Sequence, residues 1–259
     1  MDRPGVAVRR EPVGGRFVTV EFENVYYSIA GRQVLSGFSL RVEKGETLVL
    51  LGRSGSGKTT ALKLVNGLLI PESGRVLIEG KATTEWDLVR LRRKIGYVIQ
   101  EAGLFPHYTI HANVGLVPRL EKWPEERIRA RVDELLGRVD PPPADFGSRY
   151  PNQLSGGQRQ RTGVARALAN DPPVLLFDEP FGALDPVTRL ELQKQFLELR
   201  EHFRKTALFV THDTREALMV GTRIAFLSEG HLVFDGPPDE FAKSQHPDAL
   251  AFLETAHGC

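Results

Sequence analysis

At 259 residues the chain is long enough for one large α/β domain, or for a core with a smaller subdomain. Its 34 basic and 33 acidic residues leave a formal net charge of +1, so charge provides no footprint for nucleic acid or an anionic membrane surface. No apolar run approaches the ~20 residues of a spanning helix, and the start, with Asp2, Arg3, Arg9, Arg10 and Glu11, lacks a signal-peptide core. The single cysteine, Cys259, excludes an internal disulfide or a thiolate metal site, and these features together predict a cytosolic chain.

Residues 1–16 carry Pro4, Gly5, Pro12, Gly14 and Gly15 without periodicity and read as a loose leader before a first strand over 17–23. Apolar runs at 47–51, 95–99, 174–177, 207–211 and 224–227 are too short for helices and continuous rather than alternating. Such runs suit strands covered on both faces of a mostly parallel sheet. After Lys58, residues Ala61, Leu64, Val65 and Leu68 recur at helical spacing, and Leu62 and Leu69 widen the stripe, which predicts a helix packed on that sheet. Residues 75–79, between Gly74 and Gly80, and 224–227 turning through Ser228-Glu229-Gly230 into 231–234 predict short antiparallel additions flanking the parallel core.

From about 103 the strand-like runs stop, and a charged, helical stretch runs through Glu121, Lys122, Glu125, Glu126, Arg127, Arg129, Arg131, Asp133 and Glu134 to Pro141-Pro142-Pro143. The expectation is one domain over 17–245 with a helical subdomain inserted at about 103–165. A helix over 186–203 places Pro186 in its first turn, where a missing N–H costs little, and 246–259 reads as a C-terminal helix or tail.

Four of the predicted strands end in residues fit for phosphate or metal chemistry: Gly52 after 47–51, Gln100 after 95–99, Asp178 and Glu179 after 174–177, and His212 after 207–211. Ligands of open parallel sheets bind outside the carboxyl ends of the strands, so these ends would converge on one bound nucleotide. Gly52-Arg53-Ser54-Gly55-Ser56-Gly57-Lys58-Thr59 fits the G-x-x-x-x-G-K-[ST] phosphate loop. Its glycines let backbone N–H groups curl around phosphate oxygens, and Arg53 and Ser54 contribute backbone only. Lys58 is expected to reach the β- and γ-phosphates, Thr59 to ligate Mg²⁺, and Thr60 to complete the binding set. Asp178 suits Mg²⁺ held through water and Glu179 suits polarising the attacking water, the alternative being two acids that cap the turn before Pro180. His212 can donate where charge develops on the γ-phosphate, or can be merely structural. Leu154-Ser155-Gly156-Gly157-Gln158 precedes a helical segment over 159–169 and offers an anion site at a helix N-terminus, or only a helix start.

The phosphate loop, the LSGGQ segment and the apolar run ending in Asp178-Glu179, in this order, resemble the ATP-binding-cassette (ABC) ATPases from about residue 18 to about 236. That resemblance implies an α/β P-loop NTPase fold: a mostly parallel sheet core, an antiparallel β addition and an inserted helical subdomain. It also implies ATP and Mg²⁺, with Lys58, Glu179 and His212 as the catalytic set. Gln100 matches the family's glutamine loop, which senses the γ-phosphate and Mg²⁺. Asp185 in Ala183-Leu184-Asp185 is similar to the loop that communicates across the dimer, and its alternative is an N-cap for the helix at Pro186. Ser155, Gly156, Gly157 and Gln158 would contact the γ-phosphate held by a partner's phosphate loop, which implies a homodimer or a pair with a paralogue. The family's adenine-stacking aromatic falls at Ile29, where no ring is present; Tyr27, two residues earlier, is the substitute, or Ile29 packs the base itself.

The segments Ile95-Gly96-Tyr97-Val98-Ile99-Gln100, Asn113-Val114-Gly115-Leu116 and Phe181-Gly182-Ala183-Leu184-Asp185-Pro186 look like bacterial importers, most similar to ATPases of osmoprotectant uptake systems for glycine betaine, choline and related quaternary amines. The partners implied are integral membrane permeases, docked partly on 103–111, and indirectly a solute-binding protein, with this chain peripheral on the inner face of the membrane. Some relatives carry a C-terminal regulatory module, and the expectation is that none follows 246–257 here. The competing readings are an amino-acid or lipid transport system, and a non-transport ABC ATPase acting on DNA or the ribosome. The cluster Arg90, Arg92, Arg93 and Lys94 is the one candidate basic patch for the latter and reads as a solvated helix face. A small-molecule kinase would leave the LSGGQ segment unexplained.

Overall fold

A computed structural model describes residues 18–139 and 145–257. The leader over 1–16, Pro141-Pro142-Pro143 and Cys259 lie outside the described residues. In chain order the elements are β1 (Val18–Ile29), β2 (Arg32–Glu43), β3 (Thr47–Leu51), α1 (Lys58–Val65), β4 (Ser73–Ile78), β5 (Lys81–Ala82), α2 (Leu88–Arg93) and β6 (Ile95–Val98). Four helices follow, α3 (Ile110–Val114), α4 (Leu116–Leu120), α5 (Glu125–Val139) and α6 (Gly156–Leu168). The chain then runs through β7 (Val174–Asp178), α7 (Pro186–Phe203), β8 (Thr206–Thr211), α8 (Thr214–Val220), β9 (Arg223–Ser228), β10 (His231–Gly236), α9 (Pro238–Phe241) and α10 (Pro247–His257).

β9, β3, β8, β7 and β6 lie side by side and parallel, and β10 adds antiparallel beyond β9. The apolar runs are continuous because both faces of this sheet are covered. Leu48, Leu50, Leu176, Leu208 and Val210 pack into a core shared with α1 and the antiparallel sheet β2-β1-β4-β5. Their neighbours Val49, Leu51, Leu175, Phe177 and Phe209 pack into the opposite core with helices α3, α5, α6, α7 and α8. Fully burying each such side chain stabilises by about 1.5–3 kcal/mol, so these two seams fix where the strand ends lie. In α5, Ile128, Val132, Leu135 and Leu136 fall at helical spacing and join the second seam, so the helical segment shares its core with the sheet.

Three expectations change. The first strand does not stop at residue 23 but runs to Ile29, bending at Asn24, which has φ 49°. β2, not foreseen, pairs with it along its length. α1 ends at Val65 because Gly67, with φ 64°, turns the chain left-handed; Leu68 therefore lies past the helix and is 50% exposed rather than on its buried stripe. The basic cluster is only partly a solvated face: Arg92 donates to the carbonyls of Asn66 and Gly67 at the end of α1, and Arg93 pairs with Glu121 at 3.1 Å. Among the described residues no helix is long and apolar enough to cross a membrane.

Candidate active site

Register sets the site. Leu51 lies level with Thr211, Asp178 with Val210, and Val98 with Phe177, so the carboxyl ends of β3, β8, β7 and β6 come to one edge of the sheet. Gly52 leaves β3 at φ 155°, and a Cβ there would meet the Leu227 carbonyl oxygen at 2.2 Å and Ser56 Oγ at 2.7 Å. Only glycine fits. Gly57, at φ 104°, is the N-cap of α1 with no side-chain cap bond, which leaves the first-turn N–H groups of α1 available to an anion. Arg53, Ser54 and Gly55 form the exposed crown of the loop, whereas Thr60 is buried in α1 rather than at the loop mouth.

Lys58 is 4% exposed, and its Nζ donates to the carbonyls of Gly52 (2.7 Å) and Arg53 (2.9 Å). Burial lowers its pKa below the usual lysine range, while Glu179 and then Asp178 act the other way. Ser56 Oγ is buried in the same loop without a partner. A buried ammonium held only by its own loop, an orphaned hydroxyl and a row of uncapped N–H groups are together the donor set that a polyphosphate satisfies.

Two side-chain pairs cross the strand ends. Thr59 Oγ1 donates to Asp178 Oδ1 at 2.8 Å, and His212 Nδ1 lies 2.9 Å from Glu179 Oε2. Asp178 stays in β7, but Glu179 turns out of it at φ 47°, with its N–H on the Val210 carbonyl at 3.0 Å, which aims the two adjacent carboxylates differently. The carboxylate of Asp178 has a second donor that sequence reading missed: the Tyr97 hydroxyl, 3.1 Å from Oδ2. Burial pushes the Tyr97 phenol up, and the charge and hydrogen bond of Asp178 add to that, so the hydroxyl keeps its proton and donates. Among the described residues no group of three or more His, Cys, Asp or Glu forms a metal cage. One hydroxyl and one carboxylate side by side is instead the sparse set Mg²⁺ takes when phosphates and waters complete its shell.

Gln100 does not close a strand, since β6 ends at Val98; it sits exposed in the following turn, its side-chain amide against Gly182, where a Cβ would come within 3.1 Å. The turn is gripped from α6. Gln160 Nε2 donates to the Ile99 carbonyl at 3.2 Å, and Arg166 donates to the carbonyls of Ala102 and Gly103 at 2.7 Å each. Farther on, Asn113, fully buried, bonds the backbone of Phe105, Tyr108 and Thr109 and so holds a loop that exposes Phe105 and Tyr108.

At the start of α6, Ser155 Oγ accepts from the Gln158 N–H at 3.2 Å and the Gln158 side chain accepts from the Ser155 N–H at 3.0 Å, a reciprocal capping box. The side chains of Ser155 and Gln158 thus bond to each other's backbone, while a Cβ at Gly157 would strike Thr188 Cγ2 at 2.6 Å. Asp185 caps α7, Oδ1 accepting from the N–H groups of Val187 (3.2 Å) and Thr188 (3.0 Å), and the latter bond leads in holding its carboxyl below the usual range. Tyr27 is half-buried against the core of the antiparallel sheet, and Ile29, at the end of β1, is 53% exposed. The structure therefore brings Lys58, Thr59, Asp178, Glu179 and His212 together at one sheet edge, and leaves Ser155, Gln158 and Asp185 in local caps.

Residues 35–182 match the family described as ABC transporter. The chain is 51% identical over 214 residues to the glycine betaine/carnitine/choline transport ATP-binding protein OpuCA of Bacillus subtilis (strain 168), covering 83% of this chain and 56% of OpuCA. It is 50% identical over 208 residues to the osmoprotectant import ATP-binding protein OsmV of Salmonella typhimurium, covering 80% of this chain and 54% of OsmV. The chain thus spans about half the length of these curated relatives. The dimeric post-hydrolysis state of the ATP-binding cassette MJ0796 bound to ADP and Pi superposes with a TM-score of 0.74 at 36% identity, covering 85% of this chain and 98% of that one. With this fold, these strand ends and these relatives, the chain belongs to the ABC transporter family.

Proposed function

We propose that the chain binds and hydrolyses Mg-ATP as a dimer and drives a membrane permease that imports an osmoprotectant quaternary amine. One observation carries the reading: Asp178 within bonding distance of Thr59, and its neighbour Glu179 bonded to His212, beside the phosphate loop. Backbone N–H groups over 52–59 and Lys58 bind the phosphates, the lysine exchanging the Gly52 and Arg53 carbonyls for phosphate oxygens. Thr59 and Asp178 would hold Mg²⁺, with Gln100 as a further ligand. Bound Mg²⁺ neutralises charge on the β- and γ-phosphates. Glu179 takes the proton of the attacking water, for which it first releases His212; His212 then donates to the γ-phosphate.

The opposite jaw comes from the partner, a second copy or a paralogue, whose Ser155, Gly156, Gly157 and Gln158 approach the γ-phosphate while Asp185 faces the seam; the dimeric relative supports this. Ile29, with Tyr27 behind it, meets the adenine. We assign the permease to a cleft of about 270 Å³ bordered by Tyr97, Phe105, Leu116, Val117 and Arg166. In this reading the chain works on the cytoplasmic face of the membrane, with a solute-binding protein acting indirectly and no nucleic acid involved. The names of OpuCA and OsmV support the solute class.

The test is Glu179→Gln, which keeps shape and removes the base. Mg-ATP binding is expected to persist, turnover to fall about 10²–10⁴-fold, and a dimer to accumulate on size exclusion. Unchanged turnover, or a strictly monomeric variant in saturating Mg-ATP, refutes the reading. Uptake of labelled glycine betaine by proteoliposomes holding this chain with its permease tests the solute.

A further inference from the structure

The Asp178 carboxylate is gripped from two sides by donors on different elements. Thr59 Oγ1, in the first turn of α1, holds Oδ1 at 2.8 Å, and the Tyr97 hydroxyl, from β6 at the edge of the sheet, approaches Oδ2 at 3.1 Å. A carboxylate held at one oxygen can still rotate about its Cβ–Cγ bond; two donors on separate oxygens remove that freedom. The Tyr97 ring packs against the core formed by α1 and the antiparallel sheet, so packing rather than chance sets where its hydroxyl lies. A phenylalanine would pack as well. The hydroxyl is therefore surplus to the core, and its polar partner is the carboxylate.

We propose that Tyr97 is a positioning residue for magnesium: by occupying Asp178 Oδ2 it presents Oδ1, beside the Thr59 hydroxyl, to the metal and its water. This rests on the Mg-ATP reading above. Tyr97 acts through Asp178 rather than on the ion itself. Its effect is confined to how readily the carboxylate meets the ion, since an acceptor already oriented loses no rotational freedom on binding.

The experiment is Tyr97→Phe in the full chain, titrated with the nonhydrolysable analogue AMP-PNP by calorimetry, once with Mg²⁺ and once with EDTA. The wild-type affinity ratio, with metal over without, is expected to fall about tenfold in the variant, the loss of one charge-assisted hydrogen bond. Metal-free affinity is expected to stay within twofold of wild type. Mn²⁺ titration of the AMP-PNP complex by electron paramagnetic resonance is a second readout and should show the same weakening. A ratio equal to wild type overturns the proposal, as does an equal loss with and without metal, which would mean general damage to the loop. Because the ratio is internal to each protein, a lowered melting temperature does not obscure it. A wild-type chain that binds AMP-PNP no better with Mg²⁺ would sink the Mg-ATP reading itself, and the proposal with it.

Discussion

Arg166 joins the helix that begins at the LSGGQ segment to the turn that carries Gln100, and replacing it should loosen both. Arg166→Met keeps most of the aliphatic stem and removes the two 2.7 Å bonds to Ala102 and Gly103. The two losses are unequal. Gly103 is exposed, so water replaces the guanidinium there, whereas Ala102 is 1% exposed and its carbonyl is left without a donor. An orphaned buried acceptor costs about 1–3 kcal/mol and an exposed bond at most about 1, so the sum is about 1–4 kcal/mol. For a domain of this size, at about 2–4 °C per kcal/mol, that lowers the melting temperature by roughly 2–16 °C. Removing the desolvation of a buried guanidinium, which already lowers its pKa, offsets part of the loss, so the lower end is the firmer expectation. Differential scanning fluorimetry reads the shift, and hydrogen exchange locates it: amides over 99–103 should exchange faster while those of β3 stay protected. A melting temperature within 1 °C of wild type, with unchanged exchange over 99–103, would show that α6 does not hold the glutamine turn.

Three further outcomes follow from particular contacts. Gly52→Ala should abolish nucleotide binding because its Cβ meets the Leu227 carbonyl at 2.2 Å, while Gly31→Ala, at φ 79° with no atom within 4 Å, should cost only about 1 kcal/mol of stability and leave affinity intact; equal affinities in equilibrium binding would refute the clash. Ile29→Tyr, at an exposed strand end, should tighten ATP binding about fivefold or more by stacking on adenine; unchanged affinity by calorimetry would move the base elsewhere. Glu216 is buried and its pKa lies above the ordinary carboxylate value of 4.5, chiefly through desolvation, with the Thr211 hydroxyl bond (2.6 Å) opposing. A raised native pKa means the folded state binds the extra proton, so the stability tied to it is whole below pH 4.5 and is lost as pH rises through the native value. Urea unfolding should therefore show Glu216→Gln gaining on wild type as pH rises above 4.5; a gain on acidification instead would reverse the assignment.

The parallel core was legible because its strands are apolar on both faces: 47–51 coincides with β3, 207–211 misses one residue of β8, and the helix at Pro186 ends at Phe203 as expected. β2 was not, although Phe38, Leu40 and Val42 alternate as a half-covered strand should; Ser36, Gly37 and Ser39 dilute the signal. α1 was drawn too long because the helical stripe continues through Leu68 while the left-handed Gly67 ends the helix. Of the site, the phosphate loop and the two carboxylates lie in contiguous motifs. Tyr97 does not, since its partner Asp178 is 81 positions away and an aromatic inside a strand looks like core until the hydroxyl is seen to reach something. The Gln160 and Arg166 grips were hidden likewise, their partners being backbone carbonyls 61 to 64 positions distant.

Lys58 leans on the Gly52 and Arg53 carbonyls, which it would exchange for phosphate oxygens. That self-contact keeps the curl over 52–58 in shape beforehand, so ordering entropy of about 1–2 kcal/mol per residue is not lost again when a guest arrives. It also sets an entry threshold. An incoming anion must replace two short bonds to a desolvated ammonium at once, which a chain of phosphates can do and a lone chloride cannot. Discrimination against monovalent anions is then built into the loop before base or sugar is met.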